Sequence, residues 1–171
     1  MATISTAVPV EEYLRTTYEP DMEYVDGQLV ERHVGEYFHS SLQGLIFATL
    51  LARSGGRFKP FVELRVRVSA APRFRIPDVC AKALPHEKTP VLVSPDLVVE
   101  VLSPDDRPGE ILEKIADYVG AGIPYIWIVD PYERTLAAVE NGIHRKVTGW
   151  VLETPLVGPV DFAELFRQLD E

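Results

Sequence analysis

Apolar positions along this chain alternate between helical and strand periods, and each change marks an element. Val10, Tyr13, Leu14 and Tyr18 recur at helical spacing, which predicts a short helix over residues 10–18. Residues 23–30 read as a hairpin, because Asp26-Gly27 is a two-residue turn signal between strand-formers. Over residues 37–52 the residues Leu42, Leu45, Ile46, Thr49 and Leu50 share one side of a helix that Ser54-Gly55-Gly56 stops. The period then drops to two. In residues 61–68, Val62, Leu64, Val66 and Val68 face one way and Glu63, Arg65 and Arg67 the other. Residues 76–83 form a second run, entered through Pro77, which suits a strand start. Residues 96–102 are nearly all apolar, as in a central strand covered on both faces.

Ser103-Pro104-Asp105-Asp106 turns the chain into a helix over residues 109–121, carrying Ile111, Leu112, Ile115, Ala116 and Tyr118. Gly120 and Gly122 end that helix. A fourth core strand spans residues 125–129, closed by Asp130-Pro131. Residues 136–139, 143–147 and 150–152 read as a terminal antiparallel meander, and residues 162–169 as a closing helix. The crossover from Leu102 to Tyr125 is long enough for a right-handed parallel connection. The expected fold is therefore one α/β domain over residues 1–171, with a core at about 10–139. It has a central mixed sheet flanked by helices and a C-terminal antiparallel meander.

Composition narrows the picture. With 171 residues, 46% apolar and 25% charged, the chain is long enough to bury a real core and is not disordered. A net charge of −9 excludes a generally basic nucleic-acid binder, so any such binding needs a local basic patch or a metal. The single cysteine, Cys80, excludes an intramolecular disulfide and a thiolate-rich zinc site, and reads as a small buried hydrophobe. No apolar run is long enough to span a bilayer, and the first ten residues show no secretory signal. The expected location is the cytoplasm.

Two carboxylates interrupt the apolar strands: Asp78 in Ile76-Pro77-Asp78-Val79 and Glu100 in Leu97-Val98-Val99-Glu100-Val101-Leu102. A buried, unpaired carboxylate costs several kcal/mol or neutralises. Two of them are tolerable if they meet across adjacent strands and share a cation. Mg2+ (or Mn2+) accepts one or two protein carboxylates plus waters and substrate oxygens, and the Val101 carbonyl would supply a third protein ligand. Lys114 follows 14 residues after Glu100, on the same helix face as Ile111 and Tyr118. An ammonium there would activate the attacking water or stabilise phosphoryl charge. The plainer alternatives are a strand-start Asp78, a Glu100 paired with Arg or Lys, and a solvated Lys114.

The order of these motifs resembles a known family. It runs from Ile76-Pro77-Asp78-Val79 through Pro95-Asp96-Leu97-Val98-Val99-Glu100-Val101-Leu102-Ser103-Pro104 and Lys114-Ile115-Ala116-Asp117-Tyr118. It closes with Gly122-Ile123-Pro124-Tyr125-Ile126-Trp127-Ile128-Val129-Asp130-Pro131. This is similar to the putative restriction endonuclease family of the PD-(D/E)XK nuclease superfamily. The N-terminal Glu23 to Val30 segment and His39 at a helix start fit the same pattern. The resemblance implies a restriction-endonuclease-like core and divalent-metal nuclease chemistry, with Asp78 and Glu100 as metal ligands. The superfamily lysine usually sits two residues after the glutamate, where this chain has Leu102. Its counterpart maps to Lys114 on the following helix.

Other residues complete the candidate list. His39 would touch phosphate or position a base, or cap and pack. Glu23 would add a carboxylate or be a solvated strand-edge residue, and Glu63 would pair with Arg65 and Arg67 or face solvent. Arg57, Lys59, Arg65, Arg67, Arg73 and Arg75 are the chain's one basic concentration, either a phosphate-contacting rim or an exposed strand face. Tyr118, Tyr125 and Trp127 read as core. The expected function is a metal-dependent endonuclease acting on DNA, catalysed by Asp78, Glu100, Lys114 and His39. The alternative is a weak or inactive nuclease-fold module that binds nucleic acid or protein. A homodimer through the meander and the Tyr132 region is compatible with either.

Overall fold

Alternating side chains sort the central strands onto two apolar layers, one on each face of the sheet. The computed structural model describes residues 7–33 and 35–171. Helix α1 (Val10–Arg15) leads into the hairpin β1 (Met22–Val25) and β2 (Gln28–Glu31), then α2 (Tyr37–Arg53). Strands β3 (Phe58–Val62), β4 (Val66–Ser69), β5 (Arg73–Arg75), β6 (Val79–Ala83), β7 (Leu92–Val93) and β8 (Leu97–Val101) precede α3 (Pro108–Gly120). The chain continues through β9 (Tyr125–Asp130), β10 (Thr135–Glu140), β11 (Ile143–Arg145), β12 (Val151–Thr154), β13 (Gly158–Asp161) and α4 (Phe162–Leu169).

The central sheet has six strands in the order β11-β10-β9-β8-β6-β3. Strands β8 and β9 run parallel, joined by the α3 crossover, and the other neighbours are antiparallel. The sheet is mixed, as the sequence predicts. Leu97, Val99, Val101, Val79, Ala81, Trp127 and Val129 join Leu42, Ile46 and Leu50 of α2 and Phe162, Leu165 and Phe166 of α4 in one core. Val98, Cys80, Ile126 and Ile128 alternate onto the other face, under Ile115 and Tyr118 of α3. Glu100 falls on that second face by the same period of two. Gly122, at φ 73°, takes the left-handed conformation that ends α3 and aims the chain into β9. Among the described residues no helix is long and apolar enough to cross a membrane.

Several expectations need correction. The first helix stops at Arg15. The run at 61–68 is two strands in two sheets, because Glu63 adopts φ 50° and breaks the extended chain. Strand β3 stays in the central sheet, while β4 joins a five-stranded sheet ordered β2-β1-β5-β4-β7. The second strand begins at Val79, so Asp78 precedes it. The meander β9-β10-β11 forms, but residues 150–152 do not extend it. Instead β12 pairs forward with β13, Val151 opposite Asp161 through Thr154 opposite Gly158. The Thr154 hydroxyl accepts the Val157 N–H at 3.1 Å and closes that turn.

Candidate active site

Register brings the two strand carboxylates to one place. Val79 of β6 lies opposite Val99 of β8, so Asp78 and Glu100 occupy the next rung on the same face. Both line a cavity of about 330 Å³ together with Arg32, His39, Ser103 and Lys114. Asp78, Glu100 and His39 are buried.

Every oxygen of the Asp78 carboxylate has a partner. Arg32 Nη2 donates to Oδ1 at 2.6 Å, and His39 Nε2 stands 3.3 Å from the same oxygen. The Val101 N–H donates to Oδ2 at 2.7 Å. Burial works against the Asp78 charge, but the His39 hydrogen bond and the Arg32 charge outweigh it. The carboxyl is held below the usual carboxylate range. His39 is oriented from its other side, where Nδ1 lies 3.0 Å from the Ser103 hydroxyl. Burial opposes the charged imidazole, yet the Asp78 contact raises the His39 pKa above its ordinary value.

Glu100 is served from α3. Tyr118, one turn beyond Lys114, donates its hydroxyl to Glu100 Oε1, and Lys114 Nζ lies 3.5 Å from Oε2. Burial pushes the Glu100 carboxyl up to about 7 against the pull of Lys114, with the Asp78 and Glu23 charges adding to the rise. Lys114 stays charged: burial disfavours it, but Glu100 and Glu23 raise its pKa.

Four residues that matter here escaped the sequence reading or were read differently. Arg32 was not singled out, since an arginine just past a hairpin carries no local signal of what it will meet 46 residues on. Tyr118 is core as predicted, but its hydroxyl reaches the site. Glu23 is no solvated edge residue; it is 1% exposed, bonded by Arg75 Nη1 and the Ile76 N–H at 2.9 Å each, and 3.5 Å from Lys114. Glu63 does not meet Arg65 or Arg67; its Oε1 takes Gln43 Nε2 at 3.2 Å and Arg32 Nη1 at 3.5 Å.

The basic concentration is divided: Arg73 and Arg75 are paired with acids, while Arg57, Lys59 and Arg67 stay exposed. Arg75 is buried among Glu23, Glu113 and Asp117, Arg73 pairs with Asp26 and Asp117, and Arg65 donates to the Thr16 carbonyl. Arg57 and Arg67 donate to backbone carbonyls. Cys80 is buried, which pushes its thiol up to about 12.

The sequence and the fold are both similar to those of known proteins. The sequence profile of Uma2, described as putative restriction endonuclease, covers residues 10–163. The chain belongs to the Uma2 family. A crystal structure of a putative nuclease of DUF820 from Anabaena variabilis ATCC 29413 superposes with a TM-score of 0.80 at 21% identity, over 95% of this chain and 99% of that one. That likeness shows a shared fold. A cryo-EM structure of a DrdV–DNA complex aligns with a TM-score of 0.48 at 18% identity, over 80% of this chain and 12% of that chain. No curated protein matches the chain.

Restriction-endonuclease-like folds imply a divalent cation, and the donor chemistry of this Uma2 chain fits one. Asp78 and Glu100 are hard anionic oxygen donors opposite each other on one rung, lining a cavity that has room for water and phosphate oxygens. The set is sparse: among the described residues no three His, Cys, Asp or Glu side chains form a metal-holding group.

Proposed function

We propose that this protein hydrolyses phosphodiester bonds in DNA with a divalent cation, Mg2+ or Mn2+. The observation that carries the reading is Lys114, whose ammonium reaches back from α3 to stand 3.5 Å from Glu100 beside Asp78. A bound cation would polarise the phosphate and supply an activated water. Asp78, Glu100 and the Val101 carbonyl would hold it. Lys114 would face the charge that develops on the phosphoryl oxygens, and His39, fixed between Asp78 and Ser103, would orient the phosphate. The cavity lining has six carboxylates (Glu31, Asp78, Glu100, Asp106, Glu110, Glu113) against three Arg or Lys, so it favours a cation before a phosphate. The same reading takes residues 1–171 as one cytoplasmic domain that can act as a homodimer, since cutting both strands of a duplex is easier with two sites.

The test is cleavage of plasmid and of labelled duplex DNA with Mg2+ or Mn2+, for the wild type, Asp78→Asn and Glu100→Gln. Metal-dependent cleavage should vanish in both variants while circular dichroism stays native. Cleavage by either purified variant at the wild-type rate overturns the assignment.

A second reading has an observation of its own. The 2.6 Å Arg32–Asp78 pair neutralises a carboxylate without any metal, as a nuclease-fold module used only for binding nucleic acid or protein would need. DNA binding without cleavage at any Mg2+ or Mn2+ concentration would favour it.

A further inference from the structure

A guanidinium already holds one oxygen of Asp78, a residue read above as a metal ligand. Arg32 Nη2 makes a short charge-assisted hydrogen bond to Oδ1, 2.6 Å long, His39 Nε2 stands 3.3 Å from the same oxygen, and the Val101 N–H donates to Oδ2. A metal ligated by that oxygen would stand against the guanidinium, and two cations on one oxygen repel. Arg32 cannot swing freely into water, because its side chain is 12% exposed. It does have a second anion within reach. Nη1 already lies 3.5 Å from Glu63 Oε1, and Glu63 is 44% exposed.

Glu63 is held where it can serve. It adopts φ 50°, a left-handed conformation that is costly for a residue with a Cβ. Its N–H donates to the Asp78 carbonyl at 3.3 Å, and Gln43 Nε2 bonds both Glu63 Oε1 at 3.2 Å and the Asp78 carbonyl at 3.0 Å. The break between β3 and β4 thus sets a spare carboxylate next to Asp78 along the guanidinium's edge.

We propose that Arg32 is the resident counter-cation of Asp78 in the metal-free protein and that an arriving divalent cation displaces it onto Glu63. The proposal rests on the metal-binding reading above. It adds a seat for the displaced charge and makes metal affinity a competition between Arg32 and the ion. Buried Asp78 is never left unpaired in either state, which is what a buried carboxylate requires.

Calorimetric titration with Mg2+ tests it on the wild type, Arg32→Gln and Arg32→Lys, with thermal melts of each metal-free form. Arg32→Gln should bind Mg2+ roughly tenfold to a hundredfold more tightly, the range a hydrogen bond to a charged group commands. Its metal-free form should melt below the wild type. Arg32→Lys keeps the charge and should stay within about threefold of wild-type affinity, by the same conversion. Should Arg32→Gln not fold, the wild type alone decides: the Arg32 side-chain NMR signal, assigned by its loss in Arg32→Lys, should shift as Mg2+ saturates the protein. Wild-type binding with no tightening in Arg32→Gln, equal tightening in Arg32→Lys, or an Arg32 signal unmoved by bound Mg2+ overturns the displacement and leaves the metal reading intact. Absence of Mg2+ binding in the wild type and every folded variant overturns both.

Discussion

Lys114 Nζ stands 3.5 Å from Glu100 Oε2 on one side and 3.5 Å from Glu23 Oε1 on the other. One ammonium therefore serves two buried carboxylates drawn from different sheets, β8 in the central sheet and β1 in the five-stranded one. Replacing it with a neutral side chain of similar length leaves Glu100 with the Tyr118 hydroxyl and no cation, and Glu23 with Arg75 and the Ile76 N–H. Lys114→Met should destabilise the metal-free protein by about 3–5 kcal/mol, the cost of breaking a buried pair from one end. In the proposed nuclease it should also slow cleavage by about 10²–10⁴-fold. Urea melts and single-turnover cleavage check the two separately. A variant with wild-type values for both would return Lys114 to the status of a solvated helix lysine.

Tyr118 supplies the other donor to Glu100, from one turn further along α3. Its ring is buried in the core beneath the helix, so Tyr118→Phe keeps the packing and deletes only the hydroxyl. The lost hydrogen bond to a buried carboxylate should cost about 1–3 kcal/mol in urea unfolding. The hydroxyl helps hold the Glu100 charge, so its loss should also raise the Glu100 pKa further. Unchanged stability would mean that water replaces the hydroxyl, and with it that Glu100 is wetter than its burial indicates.

The core strands β8 and β9, α3 and the carboxylate pair were legible because they follow from local rules, whereas β5, β7 and β13 were not expected. A period of two assigns Glu100 to the α3 face, and Lys114 and Tyr118 four residues apart share one side of that helix. What stayed hidden depends on distant partners. The clean alternation at 61–68 concealed the break at Glu63, because periodicity records which side a residue faces and not whether the chain stays extended. Arg32 drew no reading, and Glu23 stood between a site carboxylate and a solvated edge residue; β1 beside β5 and the carboxylates of the central sheet decide both. The six clustered Arg and Lys residues looked like a rim for phosphate. Asp26, Glu113 and Asp117, remote in sequence, meet two of them instead.

The Glu100 carboxyl gives the metal-free protein a pH dependence of definite sign. Burial raises its pKa from 4.5 to about 7 in the folded chain. The folded state then binds the proton more tightly than the unfolded state, so this group's contribution is fully present below pH 4.5. It is lost as pH rises through about 7. His39, raised above 6.5, acts in the same direction. Asp78, lowered below 3.8, acts oppositely and only in acid, where its contribution disappears as pH falls. Without added metal, unfolding free energy should decline between about pH 5 and pH 7.5. Glu100→Gln should flatten that decline. Wild-type stability that rises over this interval would contradict the burial of an ionisable Glu100.

Arg75 ties the five-stranded sheet to α3 and gives a second large structural prediction. It is 4% exposed and donates to Glu23 at 2.9 Å, to Asp117 at 2.7 Å and to Glu113 at 3.0 Å. Glu23 and Asp117 have other cations, Lys114 and Arg73, but neither replaces a guanidinium that spans all three acids. Arg75→Met fills much the same volume and removes the charge, leaving Glu23 facing only Lys114 and the Ile76 N–H. The single variant should lose about 3–5 kcal/mol. Adding Glu23→Gln removes the stranded charge, so the double variant should be more stable than the sum of the two single losses by about 1–3 kcal/mol. A double-mutant cycle in urea reads this coupling directly. Strict additivity would show that the two residues, though bonded in the buried interior, do not depend on each other. Lys114 would then compensate Glu23 by itself.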